Sequence, residues 1–248
     1  MSVSFLQRPN APSLAYRKQD GTNKDLPTVL FLTGFCSDME GTKAAFLAEE
    51  CAKRGQSYLR FDYRAHGASE GVFEDSTIGL WKQDALDVLD ELTKGPVVLV
   101  GSSMGGWISL LVARDRKDRV KGLIGLAAAP DFTREIVDKA NNEERALLQS
   151  KGQFPLPNDY SDKPYIITQN LIDDGEDHIL LEGPINIDVP VRLLQGMKDA
   201  DVPWQKAHRI SNALTSQDKK VYLLEDGDHR LSRPQDLELL GQLVAELS

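Results

Sequence analysis

The chain alternates short runs of consecutive apolar residues with segments in which apolar residues recur at helical spacing. The apolar runs predict buried strands at residues 28–33, 57–62, 96–100, 120–126, 191–195 and 220–224. Helical spacing predicts helices at residues 42–54, 77–92, 107–115, 203–214 and 234–247. Strands that are apolar throughout need cover on both faces, which is typical of parallel sheets. The order therefore predicts an α/β protein whose mainly parallel central sheet has helices on both faces.

One stretch between the predicted strands, residues 131–188, is far longer than an ordinary link between two elements. Its pattern predicts a helix at 133–149, a proline-bearing loop at 154–157 and a hairpin at 165–181. Two interpretations are open, an ordinary surface excursion or a cap over an active site. Long insertions in enzymes are commonly lids, which favours the cap. We therefore expect a core of residues 1–130 and 189–248 with an inserted cap of residues 131–188.

The segment Gly101-Ser102-Ser103-Met104-Gly105 lies between a predicted buried strand and a predicted helix. In that context Gly-x-Ser-x-Gly is typical of a nucleophile elbow, a tight turn that holds its serine in a strained conformation above a sheet. A plain Gly/Ser turn is the alternative interpretation. A phosphate-binding loop is disfavoured because the segment lacks a Lys-Ser/Thr pair and the dinucleotide glycine pattern. We predict that Ser103 is a nucleophile.

A serine nucleophile needs a base, and in elbow proteins the triad follows the order serine, acid, histidine. Of the four histidines, His229 follows the last predicted strand, at the carboxyl end where functional groups gather in open α/β sheets. His66 comes before the serine, His178 lies in the insertion, and His208 lies inside a predicted helix. The order therefore predicts His229 as the base.

The orienting acid is expected in the loop that follows the strand at residues 191–195. Two carboxylates lie there, Asp199 and Asp201. Asp201 is closer to the start of the next helix, where it is suited to cap the helix. We therefore predict Asp199 as the acid and keep Asp201 as the alternative.

An oxyanion site needs two backbone N–H donors, and the loss of one costs about 3–4 kcal/mol. Met104, directly after the nucleophile, is expected to supply one donor, with help from the helix dipole. Phe35 is expected to supply the other, because it follows Gly34 in the turn after the first long strand. Cys36 lies beside this turn, but a second nucleophile is disfavoured because His229 is expected to serve Ser103.

Apolar residues of the insertion are candidates for a pocket that binds the acyl group. These candidates are Phe132, Phe154, Leu156, Leu171 and Ile172. The alternative interpretation is that they only pack the insertion onto the core.

Composition narrows the range of partners. The 248 residues are 41% apolar and 27% charged, as in an ordinary globular enzyme, and the net charge of -9 argues against nucleic acid as a partner. No apolar run approaches the length of about 20 residues that a membrane span requires. Residues 1–9 lack a signal pattern, and Cys36 and Cys51 form no Cys-x-x-Cys motif, so we expect a cytoplasmic protein. The scattered histidines predict no metal site, and the expected chemistry needs no cofactor.

Several of these segments together resemble one branch of the α/β-hydrolases, that of the mitochondrial palmitoyl-protein thioesterase, also described as an acyl-glucuronide esterase, and its bacterial relatives. The segments that carry the resemblance are residues 34–44, 60–63, 101–107, 196–204 and 228–230. The resemblance implies the α/β-hydrolase fold, the triad Ser103, Asp199 and His229, and deacylation of cysteine S-acyl groups or acyl glucuronides.

The expected function is that of a serine hydrolase that cleaves carboxylic esters or thioesters through an acyl-enzyme on Ser103. The expected substrate is a small-molecule acyl ester or thioester, or an S-acylated protein. A broad short-chain carboxylesterase is the alternative within the enzyme class, while a peptidase is disfavoured because nothing marks an amine-recognition site. A non-catalytic binding protein with a hydrolase fold is the alternative from another class, although such proteins usually lack a triad member.

Overall fold

The computed structural model describes residues 2–158 and 164–248. Its strands, in chain order, are β1 (Ser4–Arg8), β2 (Ala11–Gln19), β3 (Thr28–Leu32), β4 (Tyr58–Phe61), β5 (Val97–Ser102), β6 (Val120–Leu126), β7 (Gln153–Leu156), β8 (Tyr165–Thr168), β9 (Val191–Gly196) and β10 (Lys219–Leu224). Its helices are α1 (Thr42–Lys53), α2 (Ile78–Leu92), α3 (Met104–Asp115), α4 (Phe132–Lys139), α5 (Asn142–Lys151), α6 (Gln169–Glu176), α7 (Gln205–Ala213) and α8 (Pro234–Glu246).

Eight strands form a central sheet in the spatial order β1-β2-β4-β3-β5-β6-β9-β10. The strands from β4 to β10 in this order pair in parallel. Strand β2 pairs antiparallel with β1 and β4. The predicted α/β class and mainly parallel sheet are therefore confirmed.

Both faces of the sheet are buried at its centre, which explains why a strand such as β5 is an uninterrupted apolar run. In β5, Val98 and Val100 pack in a cluster with residues of α1 and α8. Val97 and Leu99, which point to the opposite face, pack in a second cluster with residues of α2, α3 and α7. Successive side chains of a strand point to opposite faces of the sheet, so one continuous apolar run contributes to both clusters.

Strands β1 and β2 are absent from the sequence prediction. Their sequences mix polar and apolar residues without a clean alternation, and β1 lies at the edge of the sheet. Exposed positions at the edge of a sheet need not be apolar, so these strands lack the apolar run by which strands are predicted from sequence.

The single helix predicted at 133–149 is wrong, because the structure has two helices there, α4 and α5. The side chain of Asn141 accepts a hydrogen bond from Glu144 N–H, and the Glu144 side chain accepts one from Asn141 N–H. This capping box starts a new helix and so ends the previous one. The break lies at residues 140–141, and helical periodicity does not detect it.

The hairpin predicted at 165–181 is also wrong. Strand β8 pairs antiparallel with β7, which occupies most of the predicted loop at 154–157. The chain then enters α6, because the Thr168 side chain caps the helix by accepting a hydrogen bond from Leu171 N–H. The inserted segment therefore holds three helices and one small sheet within its described residues; 159–163, which belong to the expected cap, lie outside them.

Helix α6 connects the insertion to the core by packing on α2 as well as on α4. At the start of the insertion, the Asp131 carboxylate accepts hydrogen bonds of 2.9 Å from the N–H groups of Leu180 and Leu181. Among the described residues, no helix combines the length and the apolar character that a membrane crossing requires.

Candidate active site

The residues predicted to carry chemistry follow four parallel strands of the central sheet. Phe35 follows β3, Ser103 follows β5, Asp199 follows β9 and His229 follows β10. Because the carboxyl ends of parallel strands lie at the same edge of the sheet, all four loops lie at that edge.

Ser103 lies at the apex of a sharp turn between β5 and α3. Its backbone angles are φ 55° and ψ -118°, a conformation that costs a non-glycine residue on the order of 1–3 kcal/mol. The turn is held by the Ser103 N–H, which donates to the Leu126 carbonyl at 2.9 Å, and by the Ser103 carbonyl, which accepts from Ala129 N–H at 3.1 Å. This is the strained strand-turn-helix geometry that the motif predicts.

The two glycines of the motif lie where no side chain fits. A Cβ at Gly101 would lie 2.2 Å from the Gly105 carbonyl oxygen. A Cβ at Gly105 would lie 2.2 Å from the carbonyl oxygen of Leu32 and 2.5 Å from that of Thr33. The turn therefore brings α3 into close contact with β3, the strand that leads to Phe35.

His229 and Asp199 form a hydrogen-bonded pair. Nδ1 of His229 lies 2.9 Å from Oδ2 of Asp199, whose side chain has no exposed surface. A carboxylate oxygen only accepts hydrogen bonds, so Nδ1 carries the proton in the neutral imidazole. The other ring nitrogen, Nε2, is then the one that takes up a proton.

Three further donors converge on Asp199. Oδ1 accepts from the N–H groups of Asp201 at 2.9 Å and Val202 at 2.8 Å, and Oδ2 accepts from the side-chain amide of Gln195 at 2.8 Å. Burial by itself raises the pKa of Asp199. The hydrogen bond and charge of His229 and the two backbone N–H groups together lower it by more, so the pKa lies below its ordinary value. The carboxylate therefore stays ionised beside the imidazole.

The alternative acid, Asp201, is placed differently. Its Oδ2 lies 4.0 Å from His229 Nδ1, and its side chain is 48% exposed. The N-cap of α7 is Trp204, with no side-chain capping bond, so the suggested capping role of Asp201 is not observed. Ligand atoms of Asp199, Asp201 and His229 lie within 4.8 Å of one another, but hydrogen bonds already occupy both oxygens of Asp199. The geometry is that of an acid–imidazole pair.

Phe35 and Met104, the expected oxyanion donors, flank Ser103. Met104 is the first residue of α3, and Phe35 lies in a turn closed by Ser37 N–H donating to the Gly34 carbonyl. Within residues 2–158 and 164–248, no hydrogen bond is formed by the N–H of Phe35 or of Met104. A Cβ at Gly34 would lie only 3.4 Å from Ser103 Cβ, which brings this turn against the serine.

The ring of Phe35 is fixed by aromatic neighbours from four different segments. Its centroid lies 5.3 Å from Phe73, 5.8 Å from Trp81, 5.4 Å from Phe132 and 5.3 Å from Tyr165. All four contacts are edge-to-face, the arrangement that aromatic pairs favour. The side chain thus immobilises the residue whose N–H is the expected donor.

Two cavities meet at Ser103 and Phe35. The α1-side cavity, of about 370 Å³, is also lined by Gly34, Lys43, Tyr165 and His229 among others. The insertion-side cavity, of about 480 Å³, is lined on its apolar part by Ala129, Phe132, Ile136, Leu156, Pro157 and Val202. Lys43 connects α1 to the His229 loop by donating from Nζ to the Arg230 carbonyl. The space around Ser103 is therefore divided into two adjoining cavities.

The structure divides the five candidate pocket residues into two groups. Phe132 and Leu156 line the insertion-side cavity. Phe154, Leu171 and Ile172 are buried in the hydrophobic core and line neither cavity. For these three the alternative interpretation, packing of the insertion onto the core, describes their position.

Two residues at the site are missing from the sequence prediction. Gln195 is a buried polar residue at the end of an apolar strand, a signal that marks a side chain with a specific partner. His66, set aside because it precedes the serine, lies against the Phe35 turn, where its Nε2 accepts a hydrogen bond from Cys36 N–H. The order of residues along the chain identifies the expected base, His229, but it does not identify a residue such as His66 that holds a neighbouring loop.

Comparison with known proteins agrees with the fold and identifies the family. A family model described as alpha/beta hydrolase fold matches residues 27–163. The mitochondrial palmitoyl-protein thioesterase ABHD10 of Bos taurus is 39% identical over 247 residues, which cover 99% of this chain and 80% of the bovine protein. The chain belongs to the α/β-hydrolase family. The predicted family membership and the expected class of hydrolytic enzyme are therefore confirmed.

Other members of the family are as similar. The human palmitoyl-protein thioesterase ABHD10 is 40% identical over 250 residues, covering 99% of this chain and 80% of the human protein. The structure of alpha/beta hydrolase domain-containing protein 10 from mouse matches with a TM-score of 0.91 and 37% identity, covering 100% of this chain and 98% of that one. A crystal structure described as a hydrolase from Agrobacterium vitis S4 matches with a TM-score of 0.94 and 39% identity, covering 99% and 98%.

The expected cytoplasmic location is wrong by this comparison. The mammalian relatives that match 99% of this chain are named as mitochondrial proteins, and this finding contradicts the expectation. The expectation rested on residues 1–9 and on the spacing of Cys36 and Cys51.

Proposed function

We propose that this chain is a serine hydrolase that cleaves acyl thioesters or carboxylic esters through an acyl-enzyme on Ser103. The observation that carries the proposal is that the strained Ser103 and His229 line one cavity while Asp199 holds His229 from its buried side. That arrangement matches the roles of nucleophile, base and orienting acid.

The reaction begins when Oγ of Ser103 attacks the acyl carbon and Nε2 of His229 takes the hydroxyl proton. The N–H groups of Phe35 and Met104 stabilise the resulting oxyanion. His229 then gives the proton to the leaving thiol or alcohol as its bond to the acyl carbon breaks. Water, deprotonated by His229, attacks the acyl-enzyme, and the same steps release the carboxylic acid and restore Ser103.

Asp199 supports this cycle without giving up its charge. Its lowered pKa keeps it ionised, so it stabilises the imidazolium that forms in each half of the reaction. Gln195 and the Val202 N–H hold its oxygens in place, which preserves the Nδ1–H tautomer of His229.

Residues 131–188 act as the cap, and the insertion-side cavity receives the acyl group. Phe132 and Leu156 contribute apolar walls from α4 and β7, while Ala129 and Val202 contribute from the core. A volume of about 480 Å³ lies within the range of about 300–1,000 Å³ for ligand sites. The names of the relatives favour a fatty acyl thioester on a protein cysteine as the substrate.

The test combines an active-site label with a set of matched substrates. A fluorophosphonate should add one label to the wild type at Ser103 and none to Ser103→Ala, as read by intact-protein and peptide mass spectrometry. Ser102→Ala, which removes the neighbouring serine of the motif, is the matched control and should keep the label. Thioesters and oxygen esters with acyl chains of two to about sixteen carbons then report the preferred substrate.

Each outcome has a separate meaning. Turnover that is lost in Ser103→Ala and rises with chain length on thioesters supports the proposal. A preference for short oxygen esters would indicate a broad carboxylesterase. A wild type that takes no label and turns over no substrate would overturn the proposal in favour of a binding protein.

A further inference from the structure

Two loops meet on the α2 side of Ser103. The β3 loop, residues 33–41, carries Phe35, and the β4 loop, residues 62–70, lies against it. Cys36 N–H donates to Nε2 of His66 at 3.1 Å, and Met39 N–H donates to Oδ1 of Asp62 at 2.7 Å. The β4 loop therefore holds the backbone of the β3 loop on both sides of its exposed turn.

The hydrogen bonds of His66 determine which ring nitrogen carries the proton. Nδ1 lies 3.0 Å from the carbonyl oxygen of Arg64, which only accepts, so Nδ1 is protonated and donates. The neutral ring then has its lone pair on Nε2, which accepts the N–H of Cys36. Protonation would turn this acceptor into a donor and remove the bond. Burial of the ring lowers the pKa of His66, which keeps the accepting form.

The surroundings of His66 leave the ring no freedom to turn. It is 4% exposed, and the rings of Tyr63, Phe73 and Trp81 lie 5.8, 5.6 and 5.3 Å away between centroids. Trp81 Nε1 also donates to the Arg64 carbonyl at 3.3 Å. The acceptor offered to Cys36 is thus fixed by packing from the β4 loop and α2.

Arg64, whose carbonyl accepts from His66 Nδ1, is itself held in place by hydrogen bonds. Arg64 donates from its backbone N–H and from its guanidinium to Asp84, whose side chain has no exposed surface. Arg8 donates to the same carboxylate at 2.6 Å. A buried carboxylate with this many charged and backbone donors fixes the Arg64 carbonyl, and through it the orientation of the imidazole.

We propose that His66 is a positioning residue for the oxyanion site, acting through Cys36 N–H on the adjoining Phe35 N–H. Cys36 has a φ of 53°, which a non-glycine residue keeps only when its surroundings hold it. The bond to His66 supplies that constraint and sets the orientation of the peptide that follows Phe35. The inference rests on the proposed function, because it takes Phe35 N–H as an oxyanion donor.

The role predicts an effect on the transition state and not on substrate binding. His66→Leu keeps an apolar filling of similar size but leaves Cys36 N–H without an acceptor. We expect kcat to fall about 10- to 100-fold, less than the loss of a donor outright, with KM changed by less than about 2-fold. The affinity for an alkyl boronic acid, whose adduct with Ser103 carries the tetrahedral oxyanion, should fall by the same factor as kcat/KM.

Two further variants separate positioning from packing. His66→Gln restores an acceptor oxygen and should recover most of kcat. Tyr63→Phe is the matched packing control: the Tyr63 hydroxyl is buried and has no hydrogen-bond partner among the described residues, so its removal should leave kcat unchanged. Rates are expressed per fluorophosphonate-labelled site, so that unfolded protein does not count. Should His66→Leu fail to fold, His66→Asn, whose shorter amide does not reach Cys36, takes its place.

The inference is overturned if His66→Leu lowers only thermal stability while kcat per labelled site stays at the wild-type value. It is equally overturned if His66→Gln is as slow as His66→Leu. Failure of the proposed function looks different, because the wild type itself would then take no fluorophosphonate label and turn over no substrate.

Discussion

Oδ2 of Asp199 lies 2.9 Å from Nδ1 of His229, whereas Oδ2 of Asp201 lies 4.0 Å from the same nitrogen. The nearer carboxylate is fully buried and held by three other donors, while the farther one is half exposed. Two acids that are two residues apart in the sequence therefore have very different relationships to the histidine.

Replacing each acid by its amide tests this difference. In Asp199→Asn, an amide in place of the carboxylate favours the wrong tautomer of His229, and kcat should fall on the order of 10⁴-fold. Asp201→Asn should keep kcat within about 3-fold, because exposed charge pairs contribute little. Steady-state kinetics with a thioester substrate provide the measurement, and equal losses in the two variants would contradict the assignment.

Gly105 is predicted to tolerate no side chain. In Gly105→Ala the new Cβ meets the backbone oxygens of Leu32 and Thr33, so α3 must move away from β3, at a cost of about 1–3 kcal/mol or more in the free energy of unfolding. Gly183→Ala is the control, because a Cβ there meets nothing within 4 Å, and it should change stability by less than about 0.5 kcal/mol. Urea unfolding of both variants measures the difference. A stable Gly105→Ala protein would show that the contact between helix and strand is less tight than described.

Leu156 is predicted to set acyl-chain length. Leu156→Trp fills part of the insertion-side cavity, so the optimum among matched acyl thioesters should move to shorter chains. Phe154→Leu, two residues away but buried in the core, should cost about 1–3 kcal/mol of stability without moving the optimum. If the Phe154 variant shifts the optimum and the Leu156 variant does not, the acyl group lies elsewhere.

The neutral state of His66 makes stability depend on pH. Burial lowers its pKa in the folded protein below the unfolded value of about 6.5, so the unfolded chain binds more protons just below that pH. The contribution of His66 to stability is therefore present above pH about 6.5 and lost as pH falls toward the folded pKa. The stability difference between wild type and His66→Gln should shrink in urea unfolding between pH 7.5 and pH 5.5.

Other titrating groups do not obscure this comparison. Burial also lowers the pKa of His178, but His178 is present in both proteins and its contribution cancels. Asp199 has a lowered pKa as well, so its contribution is lost only as pH falls below about 3.9, outside the window. A stability difference that stays constant between the two pH values would mean that His66 has an ordinary pKa in the folded state.

The sequence prediction succeeds and fails for identifiable reasons. Strands such as β5 are found because burial on two faces requires an uninterrupted apolar run. The insertion is mispredicted at residues 140–141, where the helix break depends on a local capping box, and at Thr168, whose side chain caps the helix that follows a strand. Periodicity averages over several residues, so it does not detect a boundary made by one hydrogen bond.

The sequence by itself determined the succession of the parallel strands along the chain, the elbow motif at Ser103 and the positions of Asp199 and His229 after later strands. Each of these depends on patterns of neighbouring residues. Only the tertiary structure decided that Asp199, and not Asp201, is hydrogen-bonded to His229. It also decided that Phe132 and Leu156 line a cavity while Phe154 does not. Finally, it placed His66 in hydrogen-bond contact with the Phe35 turn. These relationships join atoms from segments far apart in the chain. They are set by how the sheet and its helices pack, which local patterns do not encode.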